Sequence, residues 1–240
     1  KGIQKMNILA IDTSNQVLGV AITKDGELVG ELMTNINKDH SSRLMPAIVS
    51  LMESVEMNPE SIEKVVVADG PGSYTGTRIG ITTAKTFAWA LNIPIDTVSS
   101  LKALAYNGKL FNGYICPLFD ARRKTVFTSL YRSEKGALKE VESDCNISLE
   151  EWFHKLNELQ EDIMFLSPHL DKLQSFILDT IGKRAIIPEQ PYHLTNPGNL
   201  ILLSERNESK AVHTVSPNYL RLTEAEAKLL KKQEELKKNG

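Results

Sequence analysis

One glycine-rich stretch, Asp69-Gly-Pro-Gly-Ser-Tyr-Thr-Gly-Thr-Arg-Ile-Gly80, carries the residue types in this chain best suited to holding a ligand. It follows an apolar run, Lys64 to Ala68, and leads into a helical pattern reaching about Leu91. Gly70 and Gly72 supply backbone angles that other residues resist. Ser73 and Thr75 can cap the helix, whose first N–H groups favour an anion. Two phosphate loops are excluded, because no Gly-Lys-Ser/Thr closes the stretch and no G-x-G-x-x-G is present. The same residues read equally as a tight strand-to-helix corner, with Gly76 and Gly80 only letting the helix lie close on a sheet. Metal chemistry finds little support. None of the five histidines, His40, His154, His169, His193 and His213, lies four residues from another, so no helical imidazole pair shares a face. Cys116 and Cys145 form no C-x-x-C pair and are expected as reduced thiols.

The elements that must position this stretch follow from periodicity. Met6 to Thr13, Leu18 to Thr23 and Glu27 to Thr34 read as a three-stranded meander, with a hairpin turn at Lys24-Asp25-Gly26. Leu44, Ile48, Leu51 and Val55 make one face of a helix from Leu44 to Met57, with Ser42 as its expected cap and Met45, Val49 and Met52 as a second stripe. After the elbow, Gly76, Gly80, Ala84 and Ala88 recur every fourth residue as a strip of small side chains that another element can approach closely. Arg78, Thr82, Lys85 and Trp89 fall on the opposite face, and a fifth strand is expected at Ile95 to Val98. The order β-β-β-α-β-α-β predicts a mixed sheet with helices packed on it, an α/β fold.

The second half begins the same way. Strands at Tyr114 to Phe119, Thr125 to Tyr131 and Ala137 to Val141 form another meander, and Asp120 ends its first strand as Asp12 ends the earlier one. An internal duplication is the expectation. The copy then loosens into a helix at Ser148 to Leu159, a strand at Ile163 to Leu166, a helix at Leu170 to Ile181 and a strand at Arg184 to Ile187. Pro188 to Gly198 reads as a surface loop, and Asn199 to Glu208 as either a short helix or a buried run. Thr223-Glu-Ala-Glu226 is a capping box opening a final helix.

Composition sets outer limits. The chain has 240 residues, 41% hydrophobic content and a net charge of −2, enough for one large or two small cores and too little positive charge to grip nucleic acid unaided. No apolar run approaches the roughly 20 residues of a membrane span, and Asn7 to Ile11 is too short for a signal segment. The location expected is cytoplasmic. Lys1 to Lys5 precede Met6 and are read as an expression leftover outside the fold.

Five segments together carry a family resemblance: Ile8-Leu-Ala-Ile-Asp-Thr-Ser14, His40-Ser-Ser-Arg-Leu-Met-Pro46, Gly70 to Gly80, Asp120-Ala-Arg-Arg123 and Pro217-Asn-Tyr-Leu-Arg221. From Met6 to about Leu222 the chain resembles the bacterial TsaB (YeaZ) proteins. The resemblance implies the actin-like ATPase (ASKHA, RNase H-like) fold, two related lobes each with a mixed β-sheet and packed helices. The expected boundaries are 6–105 for the first lobe and 106–216 for the second, with a C-terminal helix, 217–238, packing back on the first. It also implies a part in forming N6-threonylcarbamoyladenosine at the adenosine beside the anticodon of tRNAs that read ANN codons. In that family TsaB is the non-catalytic partner of its paralogue TsaD, the ATPase TsaE joins the pair, and tRNA is reached only through the complex.

Site residues are expected accordingly. Where the catalytic paralogue carries a His-x-x-x-His metal pair, Ser100 and Leu104 stand here, and neither can ligate a metal. No catalytic residue, metal or cofactor is assigned. Asp12, Thr13 and Ser14, opposite Asp120 across a duplicated cleft, are candidates for weak nucleotide contact, as in actin-like ATPases. Gly70, Gly72, Gly76 and Gly80 are the structural elbow. The two helices before and after the elbow suggest half of a four-helix bundle, with Met45, Val49, Met52, Arg78, Ala84, Lys85, Ala88 and Trp89 as the partner interface. This surface is expected to bind TsaD in the cell and a second copy of the chain in isolation. An actin-like ATPase or a metallopeptidase-like enzyme acting alone is the competing reading.

Overall fold

The structure, a computed structural model, describes residues 5–36, 39–204 and 211–220. Strands β1 (Ile8–Asp12), β2 (Val17–Lys24) and β3 (Glu27–Asn35) form the expected antiparallel meander. Helix α1 (His40–Ser54) leads to β4 (Lys64–Ala68), which lies parallel to β1, and α2 (Tyr74–Leu91) leads to β5 (Ile95–Val98), parallel to β4. The sheet order is β3-β2-β1-β4-β5. Every residue of β1 and β4 is buried, because helices cover both faces of these central strands.

A short helix, α3 (Ser100–Ala105), carries the chain to β6 (Gly113–Asp120), β7 (Thr125–Glu134) and β8 (Ala137–Ser148). Helix α4 (Leu149–Asn157), β9 (Ile163–Leu166), α5 (Leu170–Ile181) and the two-residue β10 (Ala185–Ile186) complete the second sheet. Its order read from the far edge, β8-β7-β6-β9-β10, repeats that of the first sheet, with the same antiparallel and parallel pairings in the same sequence. The duplication is therefore one of topology, and the two lobes have the actin-like arrangement expected.

Packing joins the lobes. On one face of the first sheet α1 and α2 cover Leu9, Ile11, Val20, Val65 and Val67, and on the other Leu200, Ile201 and Leu203 of α6 (Pro197–Ser204) pack with Ala10, Val66 and Ala103. Leu101, Leu104 and Ala105 of α3 pack on Ile115, Phe119 and Tyr131 of the second sheet. Helix α3 is thus a wedge touching both sheets. Trp152, Phe153, Phe165 and Ile177 fill the far face of the second lobe.

Several boundaries differ from the sequence reading. Helix α1 begins four residues before Leu44 and is capped by Asp39, whose carboxylate accepts from Ser41 N–H, not by Ser42; it ends at Ser54, short of Met57. Ser73 alone caps α2, accepting from Gly76 N–H. Strand β8 runs seven residues past Val141, and α3 was not foreseen, although Ser99 before Leu101 and Leu104 is its capping signal. Pro197–Ser204 is both helix and buried, and it packs on the first sheet. Residues 215–219 are irregular rather than helical. The capping box at Thr223, the helix beyond it and residues 205–208 lie outside the described residues, as do residues 1–4.

Candidate functional site

The elbow closes on the end of β1. Ser73 N–H donates to Ser14 O at 2.6 Å, and Thr13 Oγ1 donates to Gly76 O at 2.7 Å. A Cβ at Gly72 would lie 2.1 Å from Ser14 O, and one at Gly76 2.2 Å from Thr13 O, distances no side chain survives. Gly70 adds a left-handed φ of +101°. The strip of small residues is therefore used by the chain's own first strand: Gly76 and Gly80 meet Thr13, and Ala84 and Ala88 join the core over the sheet.

This seating removes three of the expected nucleotide contacts. Asp12, Thr13 and Ser14 are all but fully buried beneath the elbow. Asp12 Oδ1 accepts from Ser14 N–H at 2.8 Å and from Ser14 Oγ at 2.7 Å, and Oδ2 is buried without a partner. Burial pushes its carboxyl above the usual range, with the Ser14 bonds and nearby His40 opposing. These side chains act as a turn and a seal, not as a face toward ligand. Asp120 differs. It lines an open cleft of about 1010 Å³ between the lobes, walled on one side by Pro71–Thr77 and on the other by Phe119–Arg123, with His169, Lys172 and Tyr219 at its rim. Its Oδ1 accepts from Arg122 N–H at 2.8 Å and its Oδ2 from Lys172 Nζ at 3.1 Å. Burial would raise the Asp120 carboxyl, but the Arg122 N–H and Lys172 together hold it below the usual range. Burial lowers His169, whose Nδ1 accepts from Asp120 N–H at 3.4 Å. The four expected residues do not converge on one ligand position. Among the described residues no group of three or more His, Cys, Asp or Glu side chains is arranged to hold a metal.

The second candidate surface is the outer side of α1 and α2, which lie side by side. Met45 and Val49 are 44% and 47% exposed, and Trp89 is 71% exposed, a degree of exposure no single sheet-packing helix needs. Met52, Ala84 and Ala88 are corrected: all three are buried in the first lobe's own core and cannot reach a partner. At 100° per residue Met52 lies one turn beyond Ile48, on the inward face rather than beside Val49. Lys85 is half-buried, and Arg78, though exposed, is held against residues 211–220, which return across α2. Lys85 Nζ donates to Val215 O at 3.0 Å, and the Arg78 guanidinium sits 4.0 Å from the Tyr74 ring centre and 5.5 Å from that of Tyr219. Tyr74 and Tyr219 stack at 5.2 Å, and Asn218 N–H donates to Asp69 O at 2.7 Å. Val215 was not singled out in the sequence, and Tyr74 and Tyr219 stood there only as members of the quoted motifs, not as site residues. No described helix is long and apolar enough to cross a membrane.

Comparison with known proteins agrees along nearly the whole chain. A family model described as "TsaD: tRNA N6-adenosine threonylcarbamoyltransferase" matches residues 34–233. The Bacillus subtilis protein named "tRNA threonylcarbamoyladenosine biosynthesis protein TsaB" is 45% identical over 228 residues, 95% of this chain and 100% of that protein. The Escherichia coli protein of the same name is 30% identical over 135 residues, 55% of this chain and 58% of that one. The solved structure "YeaZ from Pseudomonas aeruginosa" superposes with a TM-score of 0.76 at 22% identity, covering 90% of this chain and 100% of its own.

Proposed function

Since the chain belongs to the TsaB family of tRNA threonylcarbamoyladenosine biosynthesis proteins, we propose that it acts in that pathway as a non-catalytic subunit that binds and completes TsaD. The modified nucleoside is the threonylcarbamoylated adenosine beside the anticodon of tRNAs reading ANN codons, TsaE joins the pair, and tRNA is engaged only through the assembly, in the cytoplasm. The observation that carries this reading is the apolar exposure on the two packed helices, Met45 and Val49 on α1 and Trp89, at 71%, on α2. A large exposed aromatic together with half-exposed aliphatics is the composition of an interface anchor. Because TsaD is a paralogue, the same surface serves a homodimer when the chain is alone, and the two assemblies compete.

Binding of purified TsaD from the same cell to the wild-type chain, Trp89→Ala and Val49→Asp tests it. Trp89→Ala is expected to weaken binding about thirty-fold, the ~2 kcal/mol of a central anchor, and to lower the dimer fraction in sedimentation. Ala84→Glu is not a binding probe, since Ala84 is fully buried and the variant would report on folding. Two folded variants that bind like the parent would move the partner surface elsewhere. Steady ATP hydrolysis by the isolated chain that disappears in Asp120→Ala would favour the ATPase reading instead.

A further inference from the structure

Residues 120–123 and 218–220 are distant in the chain, yet both segments line the cleft between the lobes. At its rim Tyr74 and Tyr219 stack with ring centres 5.2 Å apart, and each keeps about two-fifths of its surface open, 41% and 43%. The Arg78 guanidinium lies over the Tyr74 ring, and its Nε donates to Tyr219 Oη at 2.5 Å. Two large aromatics and an arginine are therefore held in place before any ligand arrives. The facing wall is cationic. Arg122 and Arg123 are exposed and line it, in a turn where three successive non-glycine residues, Arg122, Arg123 and Lys124, take left-handed φ values of +64°, +52° and +58°. L-residues resist that conformation, and such strain recurs where side chains are fixed for a task. Lys172 adds a third cation. Of the acids on the lining, Asp120 is paired with Lys172 at 3.1 Å, and Asp39 accepts from the Ser41 N–H and hydroxyl at the cap of α1.

We propose that this cleft binds a short single-stranded stretch of RNA, with bases against the open surface of Tyr74 and Tyr219 and phosphodiesters against Arg122 and Arg123. Stacked aromatics beside a cationic wall are the composition of sites that hold unpaired strands, because every base has a face to stack and every linkage carries one negative charge. A base-paired helix has no free base faces to offer the rings. A magnesium nucleotide is a poorer match. Asp12 is sealed beneath the elbow, and Asp39 and Asp120 are engaged as described, so the lining offers guanidinium groups for bare phosphate rather than carboxylates for a metal-bound one. The inference rests on the tRNA pathway reading, in which the strand belongs to tRNA held by the assembly. With a net charge of −2 the chain's own grip is weak, and the cleft adds to contacts made elsewhere.

The full chain alone, titrated into fluorescein-labelled oligouridine of about ten nucleotides at low salt and followed by anisotropy, tests the cleft without TsaD, so its failure is separate from a failure to pair with TsaD. Saturable binding is expected with Kd about 10⁻⁴ to 10⁻⁶ M. Tyr219→Ala should weaken it about tenfold, the loss of roughly one stacked base. Arg122→Ala combined with Arg123→Ala should weaken it and flatten the slope of log K against log salt by about 1.4, two phosphate contacts at ~0.7 each. Asp120→Asn keeps an acceptor for the Arg122 N–H and releases Lys172, so it should bind more tightly with a steeper salt slope, a gain no misfolded variant can mimic. Absence of saturable binding overturns the proposal, as do variants that all bind and respond to salt like the parent. Equal affinity for duplex RNA of the same length would leave a charged patch with no selectivity for unpaired strands, and magnesium ATP displacing the probe at lower concentration than unlabelled oligouridine would make the cleft a nucleotide site; either result also overturns it.

Discussion

Gly76→Ala sets two opposing effects against each other at the elbow. Alanine is favoured over glycine within a helix by about 1 kcal/mol, and Gly76 lies in the first turn of α2, where φ is not left-handed. By propensity alone the substitution stabilises. The added Cβ, however, would stand 2.2 Å from Thr13 O, a backbone atom of a buried strand end that cannot rotate away. Separating α2 from β1 by the ångström or so required costs about 1–3 kcal/mol of overpacking strain and puts at risk the buried Thr13 Oγ1 to Gly76 O bond, worth about 1 kcal/mol. Strain and the lost bond exceed the propensity gain, so a net loss of about 1–3 kcal/mol is expected. For a chain of this length that lowers the melting temperature by about 2–12 °C. Urea unfolding followed by far-UV circular dichroism measures it. Gly19→Ala is the comparison, since its Cβ would stand 3.2 Å from the nearest atoms, those of the Pro197 ring, a much looser contact than the 2.2 Å at Gly76. If Gly76→Ala matches or exceeds the parent in stability, the close seating of the elbow on Thr13 is refuted.

Two further perturbations address buried charge. Lys64 Nζ and Asp96 Oδ2 pair at 3.4 Å with almost no exposure, so Asp96→Ala, which strands the lysine, should cost about 3–5 kcal/mol, whereas the double replacement Lys64→Met with Asp96→Val should come close to neutral by the same denaturation. His193 accepts from Ser167 N–H at 3.2 Å through Nδ1 and so carries its hydrogen on Nε2, donating to Pro188 O at 2.8 Å; burial lowers its pKa. A base lowered in the folded state supplies stability above its ordinary 6.5 that is lost as pH falls toward the folded value, so melting temperatures should drop on acidification from about pH 6.5 and His193→Gln should flatten that limb.

Much of this protein was legible from local chemistry alone. The valine run, the glycine elbow and the small-residue repeat specify a buried parallel strand turning into a helix that lies close on its sheet. The structure has that, because backbone angle and side-chain volume are properties of single residues. The repeated meander, with Asp12 and Asp120 at matching ends, foretold two lobes of one topology, and the family motifs foretold the pathway. Tertiary contact decided the rest. Asp12 and Asp120 occupy equivalent positions in the repeat, yet one is sealed under Thr13 and the elbow and the other opens on the cleft, a difference set by which loop happens to cover each strand end. Met52 and Val49 are three residues apart on one helix and equally apolar, and only the rotation of α1 on its sheet turns one inward and leaves the other in solvent. Nothing near Leu200 indicates that α6 returns from the second half to cover the first sheet, or that Tyr219 comes back to stack on Tyr74, since contacts between residues 145 positions apart leave no periodic trace. Ser99 Oγ donates to Asp144 Oδ2 at 2.6 Å, and this bond likewise joins two unremarkable loop and strand residues, whose meeting depends on how the wedge helix seats between the two finished sheets.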